Sequence, residues 1–138
     1  MSSTFSDTLE QALLNHVFRG SSFTAPTSVY LALMTTAPAE DDTGTWTTGV
    51  EVSGGSYSRL EVTCNTSNWA LSGNTLTSDA DFDFGTASAD WGNIKGVAVC
   101  SASSAGSFYA YGAFSQARDV YNGDQFKIAS GNLTVTLD

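Results

Sequence analysis

Residues 69–84 read WALSGNTLTSDADFDF, and their pattern decides the fold. Trp69–Leu71 and Thr75–Thr77 are short runs suited to strands, on either side of Ser72-Gly73-Asn74, whose residues favour a tight turn. Ala80, Phe82 and Phe84 then alternate with Asp79, Asp81 and Asp83. A period of two puts the apolar side chains on one strand face and the carboxylates about 7 Å apart on the other.

The same grammar runs outward in both directions. Ile94–Ser101, Ser107–Phe114, Phe126–Ala129 and Leu133–Leu137 follow, each bounded by Gly, Ser, Asn or Asp. Tyr57–Cys64 and Ser28–Met34 precede, the latter (SVYLALM) alternating so loosely that it reads as a strand buried on both sides. Strands this short, with turn signals every ~8–12 residues, predict a mainly β fold: an antiparallel β-sandwich or jelly-roll-like domain. Between Glu51 and Val62 the sequence EVSGGSYSRLEV lacks the spacing of a P-loop, a dinucleotide loop or a nucleophile elbow. Gly54 and Gly55 are therefore read as a bend between strands, with Tyr57 packing inward and Arg59 placed for a salt bridge or a subunit contact.

One helix is expected, over residues 4–19. Phe5, Leu9, Ala12, Leu13, His16 and Val17 recur at three- and four-residue spacing, Ser3 and Thr4 suit its start, and Gly20 supplies a left-handed stop. So wide an apolar face, with His16 on its buried side, must dock on the chain's own sheet or on a neighbour. The whole, residues 1–138, is expected to form a single domain, helix 4–19 followed by a sandwich over 28–138.

Composition narrows the function. Fourteen acidic residues against five basic ones leave a net charge of −9. Arg19, Arg59, Lys95, Arg118 and Lys127 are scattered singly, which argues against direct nucleic-acid binding. No apolar run approaches the ~18–20 residues of a membrane span, and the N-terminus carries no signal-peptide pattern, so synthesis in a cytoplasm is expected. Cys64 and Cys100 lie in apolar-alternating segments and read as buried free thiols, with one cross-strand bridge left open. A single histidine and two separated cysteines supply too few ligands for zinc, and no cofactor motif is present. Asp79, Asp81 and Asp83 read as a solvated or partner-facing acidic patch. Residues 35–48 read as a long exposed loop. Trp46 within it is the first candidate for a contact outside the protomer, because a tryptophan in a polar loop calls for a cover.

The segments HVFRG (16–20), SSFTAPTSVYLALMTTAPAEDDTG (21–44), EVSGGSYSR (51–59), DWGNIKGVAV (90–99), YGAF (111–114) and GDQFKIASGNLTVTLD (123–138) together resemble a family of small virion proteins of tailed bacteriophages. Its members are often labelled tail-fibre proteins, and related ones serve as capsid decoration or cement proteins. The chain departs from the family pattern after the GG-Y-R motif, where CNTSNWALSGN is richer in Asn and Thr. The resemblance implies a non-enzymatic structural protein of the virion, without cofactor or metal. It also implies contacts with the major capsid protein or other virion proteins and homo-oligomers, trimers above all. The leading expectation is a capsid decoration subunit, contacting its partners through Phe5, Leu9, Leu13, Trp46, Arg59, Asp79, Asp81 and Asp83. A tail, collar or fibre-associated component touching the host is the alternative. A carbohydrate-binding β module, with Trp46 and Trp91 as stacking rings, comes third.

Overall fold

The computed structural model describes residues 3–136, and Leu137, the end of the expected last strand, lies outside the described residues. In chain order the elements are β1 (Ser3–Phe5), α1 (Asp7–Phe18), β2 (Ser28–Thr36), β3 (Val50–Glu51), β4 (Leu60–Thr63), β5 (Trp69–Ser72), β6 (Thr75–Ser78), β7 (Phe82–Thr86), β8 (Gly92–Cys100), β9 (Phe108–Val120), β10 (Gln125–Ile128) and β11 (Thr134–Thr136). The fold is mainly β, with antiparallel sheets stacked as a sandwich and one N-terminal helix.

A six-stranded sheet runs β1-β9-β8-β2-β3, with β4 sharing the outer edge of β2. Two small sheets, β10-β7 and β11-β6-β5, supply the second layer. Between the layers lie Leu31, Leu33, Val62, Phe82, Ile94, Val97, Phe126, Ile128 and Leu133. Aromatic contacts join the small sheets to each other and to this core: Trp69 tilts against Phe82 at 5.2 Å and Phe84 meets Phe126 edge-on at 5.8 Å.

The opposite face of the large sheet is also covered. Ala32, Met34, Ala98, Cys100, Phe108 and Tyr111 form a second apolar cluster with Trp46 packed against it. Leu31–Met34 are consequently all buried, the double burial expected of SVYLALM. Strand-to-strand approach is close here: a Cβ on Gly96 would collide with the Tyr111 hydroxyl and the Gly112 carbonyl of β9.

The hairpin expected around Gly73 forms, with Leu71 opposite Leu76. The Gly54-Gly55 bend also forms, at φ of +76° and +60°, and Ser56 continues it at +64°. Trp91 donates its indole N–H to the Gly55 carbonyl at 2.9 Å, and Tyr57 packs against Trp91 edge-on at 5.6 Å. The bend is thus held from inside the core.

Four expectations require correction. The helix begins at Asp7 rather than at residue 4, because Ser3–Phe5 pair with Ala110–Gly112 as an edge strand, and strand geometry excludes helix there. Ser6, not Ser3 or Thr4, is the cap. His16 is exposed, its Nδ1 accepting the Phe23 amide at 3.1 Å. Finally, the two thiols differ: Cys100 is fully buried, whereas Cys64 is exposed just past the end of β4. Burial pushes the Cys100 thiol up to about 12, so it holds no thiolate at neutral pH. Titrating the native protein with a thiol-reactive disulfide is expected to modify one cysteine, Cys64, with the second reacting only after unfolding. Two native equivalents would contradict this packing.

Candidate attachment surface

The helix is fastened at one end. The Ser6 hydroxyl accepts the Leu9 amide at 3.2 Å and donates to the Phe108 carbonyl, and the Ser6 amide donates to Tyr109 O at 2.8 Å. The Asp7 amide donates to Glu40 O at 2.9 Å, tying the helix start to the 37–49 loop. Asp7 and Glu10 complement the positive end of the helix dipole, and Gly20 at φ +70° turns the chain away after Arg19.

Toward its far end α1 stands out from the body. Leu9 and Ala12 face inward only partly, and no helix side chain is buried. Leu13, Leu14, Val17 and Phe18 are 43%, 57%, 62% and 77% exposed. Such residues, recurring at three- and four-residue spacing on a surface helix, form a contiguous apolar patch of the kind that marks an interaction site. The stripe legible in the sequence is real, but most of it points to solvent.

Beside the helix lies an apolar groove of about 480 Å³, lined among others by Phe5, Leu9, Phe23, Val29, Trp69 and Leu76. The structure therefore divides the expected Phe5–Leu9–Leu13 stripe. Phe5, on β1, and Leu9, on α1, both line the groove, whereas Leu13 joins the outward patch. Val17, with Leu14 and Phe18 widening the stripe, is exposed as well. Of the two docking partners the sequence left open, the chain's own sheet does not cover these residues, because periodicity gives a face without saying what meets it.

Trp46 and Arg59 serve the protomer itself. Trp46, at φ +55°, is half-buried, edge-on to Phe108 at 5.4 Å, and its indole N–H donates to Glu51 Oε1 at 2.8 Å. The Arg59 guanidinium pairs with Glu51 at 2.9 Å, with a side chain only 4% exposed. It also donates to the carbonyls of Gly44, Ala102 and Ala105 at 2.8, 2.9 and 3.0 Å. Tyr57 completes the cluster, its hydroxyl donating to Glu51 Oε2 at 2.6 Å and accepting the Leu33 amide at 3.0 Å. Burial would raise the Glu51 carboxyl, but the donors of Arg59, Tyr57 and Trp46 outweigh it and hold it below the usual range. The cover that Trp46 calls for comes from its own chain. Trp91 is buried, so its ring offers no face for a sugar to stack on.

The three aspartates do not share a strand face. The chain passes between sheets at residues 79–81, so only Asp83 lies in a strand. Asp81 accepts the Ser130 amide at 2.8 Å and stands 3.6 Å from Lys127 Nζ. Asp83 accepts the Gly85 amide and the Gln125 side-chain amide, each at 2.8 Å. All three are exposed.

An acidic residue that sequence reasoning left in an exposed loop is the best-held carboxylate among the described residues. Asp42 is 1% exposed and accepts the amides of Ala39, Thr47, Thr48 and Gly49 at 2.7–3.0 Å, together with the Thr47 hydroxyl. Burial would raise its pKa, but these donors hold it well below the ordinary carboxylate range. The 37–49 loop is consequently a built lid over the second apolar cluster, with Trp46 as its plug.

The organised parts of the molecule are thus a β body, a lid and a helix offering an apolar patch outward. No curated protein matches the chain. The family model described as Podophage GP4 fiber I protein gp80 matches residues 4–136, nearly everything from the helix anchor to the last described strand, and the chain belongs to that family of phage virion structural proteins.

Proposed function

We infer that this protein is a non-enzymatic, fibre-associated component of the virion, attached to a neighbouring virion protein through the outward face of α1. The observation that carries the reading is the exposure of Leu13, Leu14, Val17 and Phe18 on a helix whose base is pinned to the sheet. A pinned helix presents its side chains without paying ordering entropy on docking, and each apolar side chain buried contributes about 1.5–3 kcal/mol. Laying such a face into a partner's groove is an established mode of recognition. In a particle that repeats the contact, modest individual affinity suffices. The family match supports a place in the fibre apparatus over a place on the shell.

The test replaces Leu14 and Phe18 together by aspartate. Both are exposed, so circular dichroism and thermal unfolding of the isolated protein should stay unchanged. Incorporation into particles is expected to fall by about tenfold or more, since two lost apolar contacts exceed 1.4 kcal/mol. Leu71→Asp, at an equally exposed apolar residue on the β5–β6 hairpin, should incorporate normally. Normal incorporation of the double variant would remove α1 from the attachment. Quantitative mass spectrometry of purified particles separates fibre from shell: a small symmetric set of copies fits the fibre. A count approaching that of the major capsid protein fits decoration.

A further inference from the structure

We propose that the groove between the outer half of β9 and β10 is a binding site for an acidic saccharide, a sugar carrying a carboxylate. The groove arises from a register jump. Gly96 lies opposite Ala113 and Ile94 opposite Arg118, so residues 114–117 of β9 swing out against Lys95 alone. The space opened beside β10 is about 490 Å³, well within the range of small-ligand sites.

Its chemistry is unlike the rest of the surface. The chain has five basic residues and a net charge of −9, yet Arg118 and Lys127 both line this one groove. The Arg118 guanidinium lies 5.5 Å over the Phe126 ring and, among the described residues, forms no ion pair. Stacking holds a guanidinium in place while leaving its N–H edges for an anion, and the planar fork matches a carboxylate in bidentate fashion. Lys127 is partly engaged by Asp81 at 3.6 Å, in a half-exposed, screened pair that a ligand carboxylate can share. Gln116 and Asn132 add neutral amides to the walls, and Phe114 gives an apolar surface. One or two cations with neutral hydrogen-bonding groups around them suit a ring that bears hydroxyls and one carboxylate. A nucleic acid would run its phosphates beyond the two cations of the groove and along the acidic body, which repels it, whereas a short uronate fits within the groove. These residues are separate from the outward face of α1, so the site does not depend on how the protein attaches.

The measurement is a titration of the full chain, labelled with nitrogen-15, followed by amide and guanidinium N–H resonances. Trigalacturonate is expected to shift the Arg118 side-chain signal and the Gln116 and Asn132 side-chain amides, with saturation. A neutral galactose trisaccharide should bind at least about tenfold more weakly, and Arg118→Gln should lose about tenfold or more in affinity for the uronate. Because Arg118→Gln also removes a contact to Phe126, Gln116→Ala is a second variant; it leaves both cations in place and should weaken binding severalfold. Equal response to the acidic and neutral trisaccharides, or no response at these residues, would overturn the assignment. So would undiminished uronate binding by both variants. A glutamate peptide of equal charge that bound more tightly than the uronate would overturn it too, in favour of an acidic protein segment.

Discussion

Replacing Arg59 by alanine is expected to lower the stability of the protein by about 3–5 kcal/mol, the range for removing one partner of a buried ion pair. Measured in urea, that is a large part of the ~5–15 kcal/mol available to a domain of ordinary stability. Glu51, its side chain only 15% exposed, would be left with its charge answered only by Trp46 and Tyr57, and the carbonyls of Gly44, Ala102 and Ala105 would lose a charged donor. These carbonyls lie on two loops that touch so closely that a Cβ on Gly44 would strike the Ala105 carbonyl. Arg59→Lys keeps the charge but not the fork. With three donors on one nitrogen it cannot span Glu51 and three separate carbonyls, so about half the loss should remain. Trp46 reports locally, since its ring lies 5.7 Å below the guanidinium and its N–H on Glu51. Its fluorescence should shift toward that of a wetter indole in Arg59→Ala before global unfolding. A loss under about 1 kcal/mol would mean that the loops are held by packing and not by this residue.

The same residues show how much a sequence discloses. Strands long enough to alternate, the turn at Gly73, the bend at Gly54-Gly55 and the inward Tyr57 were legible because each depends on neighbours in the chain. β1 and β3 were not: three and two residues hold no periodicity, and both exist only because β9 and β2 offer edges to pair with. The direction of α1 was hidden for a related reason, since an apolar stripe looks alike whether it meets its own sheet or another protein. Asp79, Asp81 and Asp83 satisfied a strand template that the chain breaks by crossing between sheets. Trp46 and Asp42 were misplaced because their partners, Phe108 and Glu51 for one and a ring of backbone amides for the other, come together only in the folded loop. The groove at Arg118 comes from a register jump against β8, a property of the pair of strands that neither shows alone.

Asp42 carries the second large effect. Asp42→Ala is expected to cost about 3–5 kcal/mol, because four amides and a hydroxyl would lose their acceptor at once and each buried unsatisfied group costs about 1–3 kcal/mol before the loop relaxes. Asp42→Asn is the sharper variant. Nearly isosteric, it must turn an NH2 group either toward the amides of Thr47 and Thr48 or toward those of Ala39 and Gly49, donor against donor. The folded-state pKa of Asp42 is depressed, so its contribution is fully present above the unfolded value near ~4 and is lost as pH falls through the lower folded value. Glu51 acts with the same sign. Urea unfolding of the wild type should therefore lose stability steeply between about pH 5 and pH 2, whereas Asp42→Asn, already weakened at pH 5, should lose distinctly less over that interval. Equal slopes would mean that Asp42 is not the group that titrates. The consequence extends to the helix, since the Asp7 amide is held by Glu40 within the loop that Asp42 organises. A protein that keeps its β body but loosens this loop would present α1 less rigidly. Asp42→Asn should then incorporate poorly into particles at temperatures where its sheet is still folded, which links the lid to attachment without any direct contact with the partner.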